Sequence, residues 1–263
     1  MSDLWASLRT DRRHLIGLFA AVPLLTLSGL FTSWGGAVRW KDCWQVAPWA
    51  CTTHDDRYGL FPTGYDDYVG APGAAAPLAI GSLLAFLAVV ALVAATKPRW
   101  LVVLVLLLAT PLLADADSNW RLSLDPQDTI EMWSVGPLTP VFMPVAYAFM
   151  FGGLFVAGVL VAGLGLGERR PWKPAERSAW ICVAVVGWGH SLWGVFFAPQ
   201  ILADSHDDPA WMHTYTGVVV IGAALLLTWS LARATAGQPN EPHKPSEGEA
   251  HSASASKTAD VPD

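Results

Sequence analysis

The sequence is poor in charged residues: Asp, Glu, Lys and Arg make up 14% of its 263 residues, whereas 53% of the residues are hydrophobic. Soluble domains carry about 25% charged residues, so this deficit argues against a soluble enzyme or domain. The few charges lie in short segments that separate long apolar runs. This pattern predicts an all-α fold, a helical bundle of a multi-pass membrane protein in contact with the lipid bilayer.

Six apolar runs have the character of membrane spans. A helix needs about 20 residues to cross a hydrocarbon core of roughly 30 Å, and the third and sixth runs reach that length with flanking residues. We therefore predict a transmembrane domain over 14–235, with six helices at 14–34, 76–96, 100–114, 139–166, 178–199 and 216–231. The remaining segments are an amphipathic lead-in at 1–13, outer loops at 35–75, 115–138 and 200–215, and a disordered cytoplasmic tail at 236–263.

Few basic residues lie in the three loops that follow spans one, three and five. With the N-terminus inside, twelve of the sixteen Lys and Arg residues fall in inner segments. Because cytoplasmic loops are enriched in Lys and Arg, we predict that both termini are cytoplasmic and that the protein lies in the cell membrane. The sequence lacks a basic patch of the kind that nucleic acid requires, so we expect no nucleic-acid partner.

The chain has only three cysteines. Cys43 and Cys51 lie in "KDCWQVAPWAC", in the first outer loop, where an oxidising environment favours a disulfide bond between them. The alternative is a redox-active pair, although such pairs favour Cys-x-x-Cys spacing. Cys182 lies in the fifth span, where we expect a small core residue.

The predicted spans lack Asp, Glu, Lys and Arg well inside the hydrocarbon, which argues against a proton pump or an ion-coupled transporter. His190, in "VGWGHSLWGVFFAP", is the one deep ionisable group in this prediction. Two interpretations remain open. His190 either donates a hydrogen bond across a helix interface or forms the floor of an outward-facing site.

A histidine-bearing acidic loop follows that span. The segment "ILADSHDDPAWMHTYTG" contains Asp204, His206 and His213, and imidazole with carboxylate is a ligand set for copper or zinc. The sequence therefore predicts a candidate metal site at His190, His213, His206 and Asp204, with copper as a possible cofactor. The alternative is that these residues belong to a solvated acidic loop.

A second acidic segment, "LADADSNW", begins like a calcium-binding loop with Asp115, Asp117 and Asn119. Trp120 stands where the EF-hand pattern has glycine, and later positions depart further. The shortness of the third span leaves open that Asp115 faces the same outer mouth as His213 and the acidic loop.

The last two spans resemble those of a known enzyme family. "WGHSLW" at 188–193, followed by "MHTYTGVVVIG" at 212–222, is similar to the six-span membrane subunit of the copper membrane monooxygenases, which oxidise ammonia, methane or short hydrocarbons. The resemblance implies a copper site that includes His190 and His213. This sequence departs from the family at Val186, where the family has an asparagine ligand, and residues 115–166 contain no histidine for its second metal cluster.

Span four carries small residues at helix-packing spacings: Gly153, Ala157, Gly158, Ala162, Gly163 and Gly167. Such residues let helices approach backbone to backbone. This face predicts either close packing within the bundle or contact with other membrane subunits, including self-association.

Three functional hypotheses follow from the sequence. The first is an integral membrane subunit or accessory protein of a membrane complex, without catalytic activity of its own. The second is a component of a membrane metalloenzyme, a copper-dependent oxidoreductase if the resemblance holds. The third is a passive transporter or a ligand-binding membrane protein. The sequence identifies no substrate, reaction or partner.

Overall fold

The computed structural model describes residues 2–39, 72–94, 99–124, 139–164, 173–191 and 212–236. These residues are helical almost throughout and contain no strand. Seven helices are described: α1 (Ser2–Arg39), α2 (Pro72–Val93), α3 (Arg99–Leu124), α4 (Thr139–Met150), α5 (Gly153–Leu164), α6 (Lys173–Gly189) and α7 (Met212–Ala236). The predicted all-α fold is confirmed for this part of the chain.

The helices form a closed ring in chain order. α1 packs against α2, α2 against α3, and α3 against the α4–α5 pair; α5 then packs against α6, α6 against α7, and α7 against α1. A smaller contact joins α2 to α6 across the ring. Leucine, valine and alanine side chains from around the ring make one apolar core, which includes Leu25, Val89, Leu112, Val183 and Leu227.

Four described helices are long and apolar enough to cross a membrane: Leu15–Arg39, Gly73–Val93, Arg99–Leu124 and His213–Ala234. They coincide with predicted spans one, two, three and six. A fifth crossing is possible in length and composition if Met143–Met150 and Gly153–Gly163 form one bent span. Their apolar composition, with few charges over these lengths, is that of an integral multi-pass membrane protein.

Span four is broken, whereas the sequence predicted one continuous helix. α4 and α5 meet at an angle of 62°. Gly152, at the break, has φ of 84°, a conformation that favours glycine because it has no Cβ. Its N–H donates to the carbonyl of Phe149 at 2.9 Å, closing a tight turn in place of the regular helical bond. The bend therefore lies at Gly152 and not at Pro140 or Pro144, where proline would be expected to kink the helix.

Several helices extend beyond the predicted span ends. α3 is continuous through Asp115 to Leu124, so the first residues of the predicted outer loop 115–138 are helical. α1 continues to Arg39, α2 begins at Pro72, and α7 begins at Met212, which shortens the other two predicted loops. In α3, the Asp115 carboxylate accepts a hydrogen bond from Ser82 of α2, which lets the helix continue through this polar residue.

Gly158, one of the small residues of span four, packs against another helix of the same chain. A Cβ on Gly158 of α5 would lie 2.6 Å from the backbone nitrogen of Ala184 in α6, and a Cβ on Gly187 would lie 2.6 Å from the nitrogen of Phe155. The predicted close approach is thus confirmed, with α6 as the partner of Gly158. At Gly163, nothing lies within 4 Å of an added Cβ. Self-association through the remainder of this face stays a prediction.

Of the three cysteines, the structure describes Cys182 and does not describe the other two. Cys182 is buried in the core and donates to the carbonyl of Ala223 at 3.2 Å, as expected of a small core residue. Cys43 and Cys51 lie outside the described residues, so their disulfide bond stays a prediction. The predicted tail also lies outside the described residues from position 237 onward.

Candidate functional site

Polar side chains from three elements meet inside the helical ring. α2 contributes Ser82, α3 contributes Asp115 and Asn119, and His190 follows directly after the end of α6. We call these four residues the Asp115 cluster. The pairing of α2 with α3 and the contact of α2 with α6 bring the three elements together.

Asp115 is the centre of the cluster. The Ser82 hydroxyl donates to Asp115 Oδ2 at 2.5 Å, and Asn119 Nδ2 donates to Asp115 Oδ1 at 3.1 Å. Asn119 lies one turn after Asp115 on α3, so the same amide nitrogen also reaches the backbone carbonyl of Asp115 at 2.9 Å. Both carboxylate oxygens therefore have a donor. Hydrogen bonds to a charged group are worth about 1.5–3 kcal/mol each, which offsets part of the cost of removing this half-buried carboxylate from water.

His190 stands at the C-terminal end of α6 and not within a longer helix. The described helix ends at Gly189, and the backbone N–H of His190 still donates to Val186 at 3.2 Å. The ring nitrogen Nδ1 lies 3.0 Å from the same carbonyl. Because a carbonyl only accepts, Nδ1 carries the hydrogen. In the neutral imidazole the other nitrogen, Nε2, then has a free lone pair.

The end of α6 is held in place by its neighbours. Thr216 of α7 donates its hydroxyl to the carbonyl of Gly189 at 2.7 Å. The ring of Trp188 packs against that of Phe155 in α5, with centroids 5.1 Å apart. Ser191 donates to the carbonyl of Trp188 at 2.9 Å and closes the last turn. These contacts fix the backbone from which the His190 side chain extends.

Two polar atoms of the cluster lack a partner. The Asp115 and His190 side chains are close enough to interact electrostatically. Among the described residues, Asn119 Oδ1 and His190 Nε2 are buried and have no hydrogen-bond partner, and Asn119 is only 4% exposed. Thr32 Oγ1, which contacts Gly81 beside Ser82, is buried without a partner in the same way. Such atoms are rare in folded proteins because each costs about 1–3 kcal/mol.

The predicted metal residues are only partly placed. His190 belongs to the Asp115 cluster, and His213 lies on the first turn of α7, one turn before the Thr216 that bonds Gly189. Asp204 and His206 lie outside the described residues. Within the described ranges, no three His, Cys, Asp or Glu side chains are grouped as a metal site would need. The four-residue metal site stays a prediction, because two of its residues lie outside the described ranges.

Asp115 lies within a described helix, whereas the sequence analysis placed it in the outer loop that follows span three. This residue lies inside Arg99–Leu124, one of the helices able to cross a membrane. The calcium-loop interpretation of residues 115–120 is wrong, because these residues form a regular helix. The signal in the sequence was the i, i+4 spacing of Asp115 and Asn119, which places both on one face of a helix. The sequence did not identify Ser82 as a partner of Asp115, because single serines are common in apolar helices.

Comparisons with known proteins identify no relative. No protein family, curated protein or solved structure matches this chain.

Proposed function

We propose that this chain is a multi-pass membrane protein that binds a small polar ligand at the Asp115 cluster. The observation that carries the proposal is a pair of buried, unpartnered atoms, Asn119 Oδ1 and His190 Nε2, whose residues interact with the half-buried carboxylate of Asp115. Polar groups within a membrane are expensive and usually mark a substrate or ion site. A ligand that forms hydrogen bonds with both atoms removes this free-energy cost.

This proposal favours the third sequence hypothesis, a ligand-binding membrane protein, over a purely structural subunit. A cluster that only joined helices would satisfy its own atoms, as the Ser178 and Ser230 hydroxyls do, 2.6 Å apart between α6 and α7. Here Ser82 and Asn119 orient the carboxylate while two acceptors remain unused. Membership in a membrane complex stays a prediction; co-purification of a defined partner after gentle solubilisation supports it, and a lone monomer contradicts it.

The ligand site is tested by a thermal-melting panel on the full chain in mild detergent. The solutes are anions, neutral alcohols, amines and divalent metals. We expect one class to stabilise the wild type, by about 2.7 kcal/mol at a hundredfold excess over its dissociation constant. Asp115→Asn should lose this response, because the substitution removes the carboxylate.

Asp117→Asn is the matched control. Asp117 lies on the same helix, is 57% exposed, and pairs with Arg121 at 2.7 Å. It should respond to the ligand as the wild type does. The proposal is refuted if no solute class stabilises the wild type, or if Asp115→Asn and Asp117→Asn respond equally.

We also propose the finer topology of six spans with both termini in the cytoplasm of a cell membrane. The four long helices and the bent α4–α5 pair supply five crossings by length and composition. α6 has 17 residues and supplies the sixth if the apolar run after it continues across the membrane. A membrane-impermeant thiol reagent should label Ser205→Cys from outside intact cells, with the native cysteines replaced by serine. Labelling only after lysis would contradict the topology.

The copper hypothesis has a separate test. The neutral His190 ring presents Nε2, the kind of nitrogen that coordinates metals when the other nitrogen bonds a carbonyl. If the copper hypothesis holds, elemental analysis of the purified protein will find near-stoichiometric copper or zinc that is lost in His190→Ala. Metal-free protein that is correctly folded would exclude the resemblance as a guide to function.

A further inference from the structure

The hydrogen-bond inventory of the Asp115 cluster limits what its ligand can be. Both donated bonds of the Asn119 amide go to oxygens of Asp115, so its nitrogen faces the carboxylate and its oxygen Oδ1 remains. His190 donates through Nδ1 to Val186, so Nε2 remains as an acceptor. The unused atoms are therefore acceptors, beside a carboxylate that is itself an acceptor. A ligand that satisfies them must donate.

The charged residues around Asp115 also favour a ligand that donates hydrogen bonds. Among the described residues, no Lys or Arg bonds to Asp115; the nearest basic residue along α3, Arg121, pairs with the exposed Asp117. α2 contains no charged residue, and the basic residues of α6 and α7, Lys173, Arg177 and Arg233, lie at the opposite ends of those helices. Within the described ranges, no charged side chain bonds to this half-buried carboxylate, so a cation bound beside it would stabilise its ionised form.

Building on the ligand site proposed above, we propose that the ligand is a small protonated amine. Its positive charge neutralises Asp115, and its N–H groups donate to Asn119 Oδ1 and His190 Nε2. Anions are excluded by the carboxylate. Calcium and magnesium prefer ligands that are all oxygen, whereas Nε2 is nitrogen. Within the described ranges, no three His, Cys, Asp or Glu side chains are grouped, so the geometry favours an amine over a transition metal.

An internal ion pair is the competing arrangement. If His190 is protonated, Nε2 becomes a donor, the pair with Asp115 is neutral, and no bound cation is needed. Amine binding by the wild-type protein distinguishes a bound amine from an internal ion pair, because a cluster neutralised by the ion pair has no affinity for amines.

The test is the melting temperature of the full chain in mild detergent with methylammonium chloride. Tetramethylammonium chloride has the same charge but no N–H group, and potassium chloride controls for ionic strength. We expect methylammonium to stabilise the wild type with an apparent dissociation constant at least about tenfold below that of tetramethylammonium, since charge-assisted N–H bonds are lost in the latter. Asp115→Asn should weaken methylammonium binding at least about tenfold, and Asp117→Asn should not change it.

Each result has one consequence. Equal stabilisation by the two ammonium ions overturns the role of the N–H donors. An equal methylammonium response in Asp115→Asn overturns the assignment to this cluster. Stabilisation only by an anion, an alcohol or a metal overturns the amine and leaves the ligand site standing. If no solute stabilises the protein, both proposals fail. Should Asp115→Asn fail to fold, the comparison of the two ammonium ions on the wild type still decides.

Discussion

The packing of α5 against α6 predicts that Gly158→Ala destabilises the protein. The added Cβ would lie 2.6 Å from the backbone nitrogen of Ala184 and 2.8 Å from its Cα. These are backbone atoms, so no side-chain rotation relieves the overlap and the two helices must move apart. Gly187 meets the backbone of α5 in the same interface, so that contact loosens as well.

The expected magnitude follows from two opposing effects. Overpacking of a tight interface costs about 1–3 kcal/mol, while replacing glycine by alanine in a helix gains up to about 1 kcal/mol. We therefore expect a net loss of about 1–2 kcal/mol in the free energy of unfolding for Gly158→Ala. Gly163→Ala, on the same helix, has open space around the added Cβ and should be unchanged or more stable by up to about 1 kcal/mol.

The assay is unfolding of the detergent-solubilised protein by increasing SDS, followed by helical circular dichroism. Both variants have the same change in composition, so the difference between their midpoints isolates the contact with α6. If Gly158→Ala is as stable as Gly163→Ala, the backbone contact between α5 and α6 is not a feature of the folded protein.

Further predictions use the same unfolding assay or a simple chemical one. Ser82→Ala should lose about 1.5–3 kcal/mol because a hydrogen bond to the half-buried Asp115 carboxylate is removed. Ser123→Ala, which loses an exposed hydrogen bond, should change stability by no more than about 0.5 kcal/mol, and equal effects would contradict the Ser82 bond. Gly152→Ala should lose about 1–3 kcal/mol because φ is 84° there, and an unchanged midpoint would argue against the bend. Peptide mapping without reductant should find Cys43 linked to Cys51; two free thiols would exclude the disulfide.

The spans could be predicted from sequence because the bilayer imposes a simple requirement of about 20 apolar residues. Predicted spans one, two, three and six each correspond to a long apolar helix. Their ends could not be predicted equally well. α3 continues past Asp115 because Ser82, on another helix, bonds to the carboxylate. Hydropathy scores each residue alone and does not include partners that are distant in sequence.

One residue of the Asp115 cluster was singled out from the sequence. His190 stood out because a lone histidine in an apolar run is unusual, and in the structure it interacts electrostatically with Asp115. Its partner could not be derived from the histidine itself, since the pairing depends on where α6 ends and how α2 lies between α3 and α6. The break at Gly152 was not predicted. Span four contains several glycines, and the sequence alone does not show which of them adopts a positive φ.

The closed ring has a consequence for how the protein is made. Neighbours around the ring are consecutive in the chain except α1 and α7, which meet through glycine: a Cβ on Gly29 would lie 2.5 Å from the carbonyl oxygen of Gly217. During synthesis α1 enters the membrane first and must wait for α7 before this seam can form. α7 also supplies Thr216, which holds the end of α6 beside His190. The proposed ligand site is therefore complete only after α7 has joined the bundle, and a chain interrupted before α7 is left with an open ring.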